Sequence, residues 1–181
     1  HTRRRRQRQM CIRDSITPLE FYQKYVKPVY DLNNLVSLVD DPRNEYNKLL
    51  SIPYYGNVIG GVRKRVDYIN VGIDVMKKVV INTLKENKTL WFACDIGWHY
   101  YHKLGTLDET QFDFKGVLGV DKIGMNKRER LEYGASCNSH SMVLCGFDQE
   151  ENGRITRWKI ENSWGDKKGN KGFVTVSYTH L

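Results

Sequence analysis

The spacing of apolar and polar residues changes near Ser139, from helical periods before it to a two-residue alternation after it. An amphipathic helix is predicted between residues 73 and 85. Its apolar positions recur at helical spacing: Ile73, Met76, Val80 and Leu84. The lysines of the same segment are expected largely on the other side: Lys77, Lys78 and Lys85. The pattern therefore predicts a helix that packs one face on a core.

A second helix is predicted where the patterned part of the chain begins. Thr17 can act as the capping residue, Pro18 suits the first helical position, and Glu20 completes a capping box. Pro28 is expected to end this helix, because proline has no backbone N–H to donate.

Short runs of apolar and β-branched residues predict several strands. These strands are expected at Leu35–Val39, Val66–Ile69, Leu90–Cys94, His140–Phe147, Arg157–Glu161 and Phe173–Val176. Loops are expected at Gly56–Gly61, Trp98–Asp121 and Gly165–Gly172, and a short exposed helix at Met125–Tyr133. Since helices come first and antiparallel strands last, the sequence predicts an α+β fold.

Most of the net charge of +8 lies at the start of the chain. Residues 1–15 contain six arginines and one aspartate, whereas basic and acidic residues alternate elsewhere. This distribution indicates a basic tail rather than a basic domain, although such a tail can bind phosphates non-specifically. Residues 1–15 share neither pattern nor composition with the rest, and the last residues stop abruptly inside an apolar strand-like run. Both ends resemble translated sequencing-adapter read-through, particularly MCIRDS and SYTHL, so we expect residues 1–15 and 178–181 to be non-native ends of a domain at 16–177. The alternative is a disordered basic tail and an ordinary terminus.

Neither a membrane span nor a signal peptide is predicted. No run of about 18 apolar residues occurs, and no apolar signal segment follows the basic start. The four cysteines, Cys11, Cys94, Cys137 and Cys145, form no C-x-x-C pair, which argues against a zinc knuckle or a redox motif. Cys94 and Cys145 lie in apolar runs and are expected to be small buried residues.

Two short segments carry residues suited to nucleophilic catalysis. His140 begins an apolar strand, and Asn162 ends the next strand, with Trp164 just after it. Antiparallel neighbours can bring such positions side by side. An imidazole can take the proton of a thiol near neutral pH, and an amide oxygen can fix its tautomer. Together the segments predict the histidine and asparagine of a Cys-His-Asn site, although each residue alone could be structural.

His99 and His102 lie near Asp95 and raise the question of a metal site. They lack the i, i+4 spacing of a helical ligand pair and a clear third ligand. Packing within an aromatic loop or a cleft wall is therefore favoured, and neither a metal nor a cofactor is predicted.

Several longer segments resemble the bleomycin hydrolase and aminopeptidase C family, an oligomeric intracellular branch of the papain-like cysteine peptidases. They are TPLEFYQKYVKP from Thr17, DDPRNEYNKL from Asp40, LWFACDIG from Leu90, MNKRERLEYG from Met125, SHSMVLCGF from Ser139 and WKIENSWGDKKGNKGF from Trp158. Nearly all of residues 16–177 is covered. The resemblance implies part of a papain-like fold, in which helical segments are followed by the antiparallel part that carries histidine and asparagine.

The resemblance also implies roles for the candidate residues. His140 would be the catalytic base, Asn162 its orienting residue, and Trp164 the cover of their hydrogen bond. Ser141 departs from the family, in which alanine usually follows the histidine.

The family's nucleophilic cysteine lies at the start of a helix well upstream of the histidine, where the helix N-terminus activates the thiol. No cysteine of this chain has that context. Cys11 has a suitable spacing from His140, but it lies in the expected non-native start and lacks a following helix. Cys94 aligns with another cysteine of the family, and Cys137 lies in a loop. We therefore expect this chain to supply only the histidine and asparagine, and to be inactive by itself.

The family further implies an aminopeptidase that acts on peptides and on amides such as bleomycin. A homohexamer and a cytoplasmic location are implied for the complete protein, and Asn138 and Ser139 are implied to shape the cleft. Weak non-specific binding of nucleic acid is expected of the basic tail. Two alternatives remain open: a non-catalytic basic nucleic-acid-binding protein, and a pseudo-peptidase whose complete form lacks the nucleophile.

Overall fold

The structure of the protein is a computed structural model. It describes residues 16–30, 34–53, 58–59, 62–63, 65–97, 99–121 and 124–178. The chain divides into two compact units, His1–Ser37 and Leu38–Leu181. All residues of the candidate site lie in the second unit.

Helix α1, Pro18–Phe21, begins as the sequence predicts. The backbone N–H of Glu20 donates to Thr17 Oγ1 at 3.3 Å, and the backbone N–H of Thr17 donates to the Glu20 carboxylate at 2.7 Å. A π-helical turn, Tyr22–Val26, extends the helix and ends before Pro28. The capping box and the end of this helix are therefore confirmed.

A three-stranded sheet opens the second unit. Its strands, in spatial order, are β1 Leu38–Val39, β5 Val66–Asn70 and β2 Lys48–Ile52. The sequence predicts β5 correctly, but the strand expected at Leu35–Val39 is too long. It does not predict β2, because only the central residue of that strand is partly buried and no alternation results.

A separate hairpin is formed by β3, Val58–Ile59, and β4, Val62–Arg63. Most of the loop expected at Gly56–Gly61 lies outside the described residues.

Helix α2, Ile73–Lys85, is confirmed, and it packs on the core through Val80 and its neighbours. The expected position of Lys77 on the solvent side is wrong, because this residue is only 8% exposed. Lys77 lies four residues after Ile73 and three before Val80, so it shares their face. Its Nζ lies 4.1 Å from the centroid of the Tyr178 ring, and burial lowers the pKa of its ammonium group. The cation–π contact offsets part of the lost hydration.

A six-stranded sheet carries the candidate site. In spatial order its strands are β6 Leu90–Cys94, β9 His140–Gln149, β10 Ile155–Glu161, β11 Phe173–Ser177, β8 Thr106–Leu107 and β7 Tyr100–Tyr101. Neighbouring strands are antiparallel, except for the parallel pair β11 and β8. The four longer strands are those that the sequence predicts, with differences of one or two residues at some ends.

The segment expected to be mainly loop, Trp98–Asp121, contains more regular structure than predicted. Besides β7 and β8 it forms a 3₁₀ turn, Glu109–Gln111, and helix α3, Phe114–Leu118. Two-residue strands are too short to show a period, and β8 lies between β7 and the distant strand β11, with which it pairs. The short exposed helix is confirmed as α4, Lys127–Glu132.

One face of the six-stranded sheet holds the hydrophobic core. The core residues alternate along β9, β10 and β11 and are at most 2% exposed: Met142, Leu144, Trp158, Ile160, Val174 and Val176. Helix α2 packs against the same cluster through Val80. Removing these side chains from water is the main favourable contribution to this part of the fold.

We predict that Ile160→Ala lowers the free energy of unfolding by about 2–5 kcal/mol. Ile160 is 0% exposed, so its truncation leaves a cavity beneath the end of β10. Urea unfolding followed by circular dichroism measures the loss. Arg157→Ala is the matched control, because Arg157 is exposed on the same strand. Equal losses for the two variants would contradict the core described above.

Candidate active site

His140 and Asn162 are positioned by the same alternation that builds the core. His140 is the first residue of β9, two residues before Met142. Asn162 directly follows β10, two residues after Ile160. Residues two apart in a strand share a face, so both side chains continue the core-facing side of the sheet. The β9–β10 pairing then brings them together.

The side chains of His140 and Asn162 are hydrogen-bonded. Nε2 of the imidazole lies 2.9 Å from Oδ1 of the amide. The backbone N–H of Ser163 donates to the same oxygen at 2.7 Å, which identifies this atom as the acceptor. Because an amide oxygen only accepts, His140 Nε2 carries the proton of this bond. In the neutral imidazole, Nδ1 is then the basic nitrogen.

The orientation of the Asn162 side chain rests on these two bonds to its oxygen. Its Nδ2 is buried and has no hydrogen-bond partner within the part of the chain that the structure describes. The backbone of Asn162 is held separately, since its N–H donates to Gly172 O at 2.9 Å.

Trp164 covers the histidine. Its ring stacks on the His140 imidazole, with centroids 4.8 Å apart and an interplanar angle of 25°. Tyr100 meets the Trp164 ring edge-on at 5.2 Å, and His102 lies 6.2 Å from it. His102 therefore belongs to an aromatic cluster, as the sequence favours. Tyr100 is not predicted as part of the site, since no local signal links it to Trp164.

Two glycines hold the loop that follows Trp164. Gly105 (φ +65°) and Gly169 (φ +60°) approach so closely that a Cβ on Gly105 would lie 2.4 Å from Gly169 Cα. The backbone N–H of Thr175 also donates to Gly105 O at 2.8 Å. This contact joins the turn after β7 to the loop expected at Gly165–Gly172. The sequence does not predict that Gly105 takes part in this contact, because the two glycines are distant along the chain.

The segment before His140 is tied to β6. The backbone N–H of Ser139 donates to Cys94 O at 3.0 Å, and the Cα atoms of Cys94 and His140 lie opposite each other. Asn138 and Ser139 are exposed, as residues at a cleft surface would be.

No cysteine in the described residues begins a helix. Cys94 ends β6, Cys137 is exposed in a loop, and Cys145 lies within β9. Burial, and secondly the charge of Asp95, raises the pKa of Cys94 to about 11. Burial is also the main cause that raises the pKa of Cys145. Cys11 lies outside the described residues. These surroundings argue against Cys94 and Cys145 as nucleophiles, in spite of the position of Cys94 opposite His140.

Within the described ranges, no group of three or more His, Cys, Asp and Glu residues could hold a metal ion. The same part of the chain has no helix that is long and apolar enough to cross a membrane.

The fold is part of a papain-like cysteine peptidase fold of the α+β class, as the sequence predicts. The chain belongs to the Peptidase C1-like family, whose family model matches residues 4–181. This match extends into both ends that the sequence analysis assigns as non-native, and those domain bounds stay a prediction.

The relatives agree with this assignment. Bleomycin hydrolase of Homo sapiens is 40% identical over 166 residues, and aminopeptidase C of Lactococcus lactis subsp. cremoris is 41% identical over 163 residues. These alignments cover 90% and 89% of this chain. The crystal structure of PepW from Lactobacillus rhamnosis aligns over 91% of the chain with a TM-score of 0.81 and 36% identity. The chain spans only 36% of the length of each of these proteins.

We predict that Gly105→Ala destabilises the protein more than Gly134→Ala does. Both glycines have nearly the same φ, +65° and +67°, so both alanines suffer the same backbone strain of about 1–2 kcal/mol. A Cβ on Gly134 meets nothing within 4 Å, whereas a Cβ on Gly105 collides with Gly169. Urea unfolding of the two variants measures the difference. Equal stabilities would show that the Gly105–Gly169 contact is loose.

We predict that iodoacetamide at pH 8 alkylates Cys137 but not Cys94 in the folded protein. With a pKa of about 11, only about one Cys94 in a thousand is a thiolate at that pH. Peptide mass spectrometry measures the extent at each cysteine, and labelling in urea is the control that should expose Cys94. Similar rates for both cysteines in the folded protein would contradict the buried, protonated state of Cys94.

Proposed function

We propose that this chain supplies the histidine and asparagine of a cysteine-type aminopeptidase, similar to bleomycin hydrolase, that cleaves peptide and amide bonds. The supporting observation is the 2.9 Å bond between His140 Nε2 and Asn162 Oδ1, in a chain of the Peptidase C1-like family. His140 is the catalytic base, Asn162 its orienting residue, and Trp164 the cover of their hydrogen bond. The nucleophile is a cysteine of the complete protein that is not among the four of this chain.

The proposed reaction uses His140 Nδ1, because the bond to Asn162 leaves this nitrogen free to accept a proton. His140 Nδ1 takes the thiol proton, and the thiolate attacks the carbonyl carbon of the substrate. The carbon–nitrogen bond breaks as the imidazolium returns its proton to the departing amine, which leaves a thioester on the enzyme. Water then attacks the thioester while Nδ1 takes its proton, and transfer of that proton to the departing sulfur restores the thiol.

Asn162 and Trp164 act on the orientation of this base. The Asn162 oxygen keeps the proton on Nε2 and limits rotation of the ring, so that Nδ1 stays available to the thiol. The Trp164 ring lies parallel to the imidazole and limits the access of water to the hydrogen bond. A hydrogen bond that is shielded from water is stronger than the same bond in water.

The substrate class and assembly extend this proposal to the complete protein. The names of the relatives, aminopeptidase C and bleomycin hydrolase, favour peptides with a free N-terminus and amide analogues as substrates. The homohexamer, the cytoplasmic location and the weak binding of nucleic acid remain predictions.

We predict that His140→Ala lowers kcat/KM for peptide hydrolysis by at least about a thousandfold, because the base is lost. Asn162→Ala should lose less, about ten- to a hundredfold, because the imidazole remains but can rotate. The measurement uses the longest open reading frame that contains this sequence, expressed as a whole and assayed with fluorogenic aminoacyl amides.

Asp148→Ala is the matched control, because Asp148 is exposed near the other end of β9. Thermal unfolding of each variant separates loss of the base from loss of the fold. Peptide hydrolysis that is undiminished in the His140→Ala variant would contradict the proposal. An inactive complete protein without a cysteine at a helix start would identify a pseudo-peptidase instead. Salt-sensitive DNA binding that persists without residues 1–15 would favour the nucleic-acid alternative.

A further inference from the structure

We propose that Asp95 is a positioning residue that fixes the backbone leading into His140. The inference rests on the proposed function, in which His140 is the base. Asp95 directly follows β6 and adjoins Cys94, whose Cα lies opposite that of His140. It is therefore the first residue beyond the paired part of β6 at the end of the sheet where the base lies.

The Asp95 carboxylate accepts hydrogen bonds from the residues just after β6 and from the segment that precedes β9. Ser136 Oγ donates to Oδ2 at 2.8 Å, and Ser139 Oγ donates to Oδ1 at 3.4 Å. The backbone N–H of Gly97 donates to Oδ1 at 3.2 Å. Ser139 Oγ in turn accepts from the backbone N–H of Ile96 at 3.3 Å. One carboxylate thus connects the backbone after β6 with the segment that precedes β9.

The segment from 136 to 139 needs such support because it belongs to no helix or strand. Its backbone is joined to β6 by the bond from Ser139 N–H to Cys94 O, one residue before His140. At its other end the segment is held by the bond from Ser136 Oγ to Asp95, together with the bond from Ser136 N–H to Arg130 O at 3.2 Å. A loop held at both ends fixes the backbone at His140, and with it the origin of the imidazole side chain.

Hydrogen bonding to the serines describes Asp95 better than an ion pair does. None of the ion pairs found among the described residues includes Asp95, and it belongs to no metal-binding group there. Its donors are two hydroxyl groups and a backbone amide, all of which are neutral. The residue therefore acts through geometry rather than through a bound cation.

The test uses the complete protein and separates positioning from substrate binding. Asp95→Ala should lower kcat about ten- to a hundredfold and leave KM nearly unchanged, since a displacement of about 1 Å in a catalytic group costs that much. Asp95→Asn keeps an acceptor oxygen of the same size and should restore most of kcat. In a double-mutant cycle, Ser136→Ala should add little to Asp95→Ala, because both remove the same bond. Asp148→Ala again serves as the control for loss of an exposed aspartate.

A crystal structure of the Asp95→Ala protein gives a readout that does not depend on activity. The proposal expects residues 136–140 to shift and the distance from His140 Nε2 to Asn162 Oδ1 to exceed its present 2.9 Å. An unchanged segment and distance overturn it, even if the parent protein is inactive and the proposed function fails. A rise in KM alone would mean that Asp95 contacts substrate, and loss of kcat in Asp95→Asn without a shift of residues 136–140 would mean that its charge matters. Either result overturns the positioning role.

Discussion

The pairing of β9 with β10 is the constraint on which both the core and the candidate site depend. Met142 and Leu144 on one strand, and Trp158 and Ile160 on the other, bury the same face of the sheet. The site begins where that face reaches the strand ends. A slip of one residue in this pairing would turn one strand's side chains to the opposite face. Burial of the core therefore fixes the register, and the register brings the imidazole to the amide.

The strands alone do not hold the candidate site, because His140 and Asn162 each lie at a strand end next to a loop. On one side, Gly105 and Gly169 pack backbone against backbone and set the course of the loop after Trp164. On the other side, the hydroxyl groups of Ser136 and Ser139 bind the Asp95 carboxylate. Under the proposed function, these contacts restrict the loops before substrate binds, so less ordering is left for the reaction itself.

Features that arise from neighbouring residues were predictable from the sequence, as was the meeting of His140 and Asn162 across one hairpin. Contacts between more distant segments were not. The alternation from His140 onward gave β9, and the spacing of Ile73 and Val80 gave α2. The same spacing also places Lys77 on the buried face of α2, whereas the prediction put it on the solvent side because lysines usually face water. By contrast, the strands β7 and β8 depend on pairing within a sheet whose other strands are distant in sequence. The contact of Gly105 with Gly169 likewise joins two distant loops. The contacts of Asp95 are not predictable either, since its serine partners lie about 40 residues away and only His99 and His102 lie near it in sequence.

In the proposed function, the separation of base and nucleophile follows from the physical needs of each group. The edge of a buried core can hold an imidazole whose Nε2 donates to an amide oxygen, because strand pairing and a stacked aromatic ring fix the orientation of the imidazole. A thiol in the same surroundings is disabled, because burial favours its neutral form. Cys94 agrees with this reasoning: it lies opposite His140 in the pairing, and burial, with the charge of Asp95 second, raises its pKa to about 11. A reactive thiolate needs a positive environment such as the N-terminus of a helix. Under the proposed function, the sheet that carries His140 is therefore a poor source of the nucleophile, and the start of a helix elsewhere in the complete protein is the expected source.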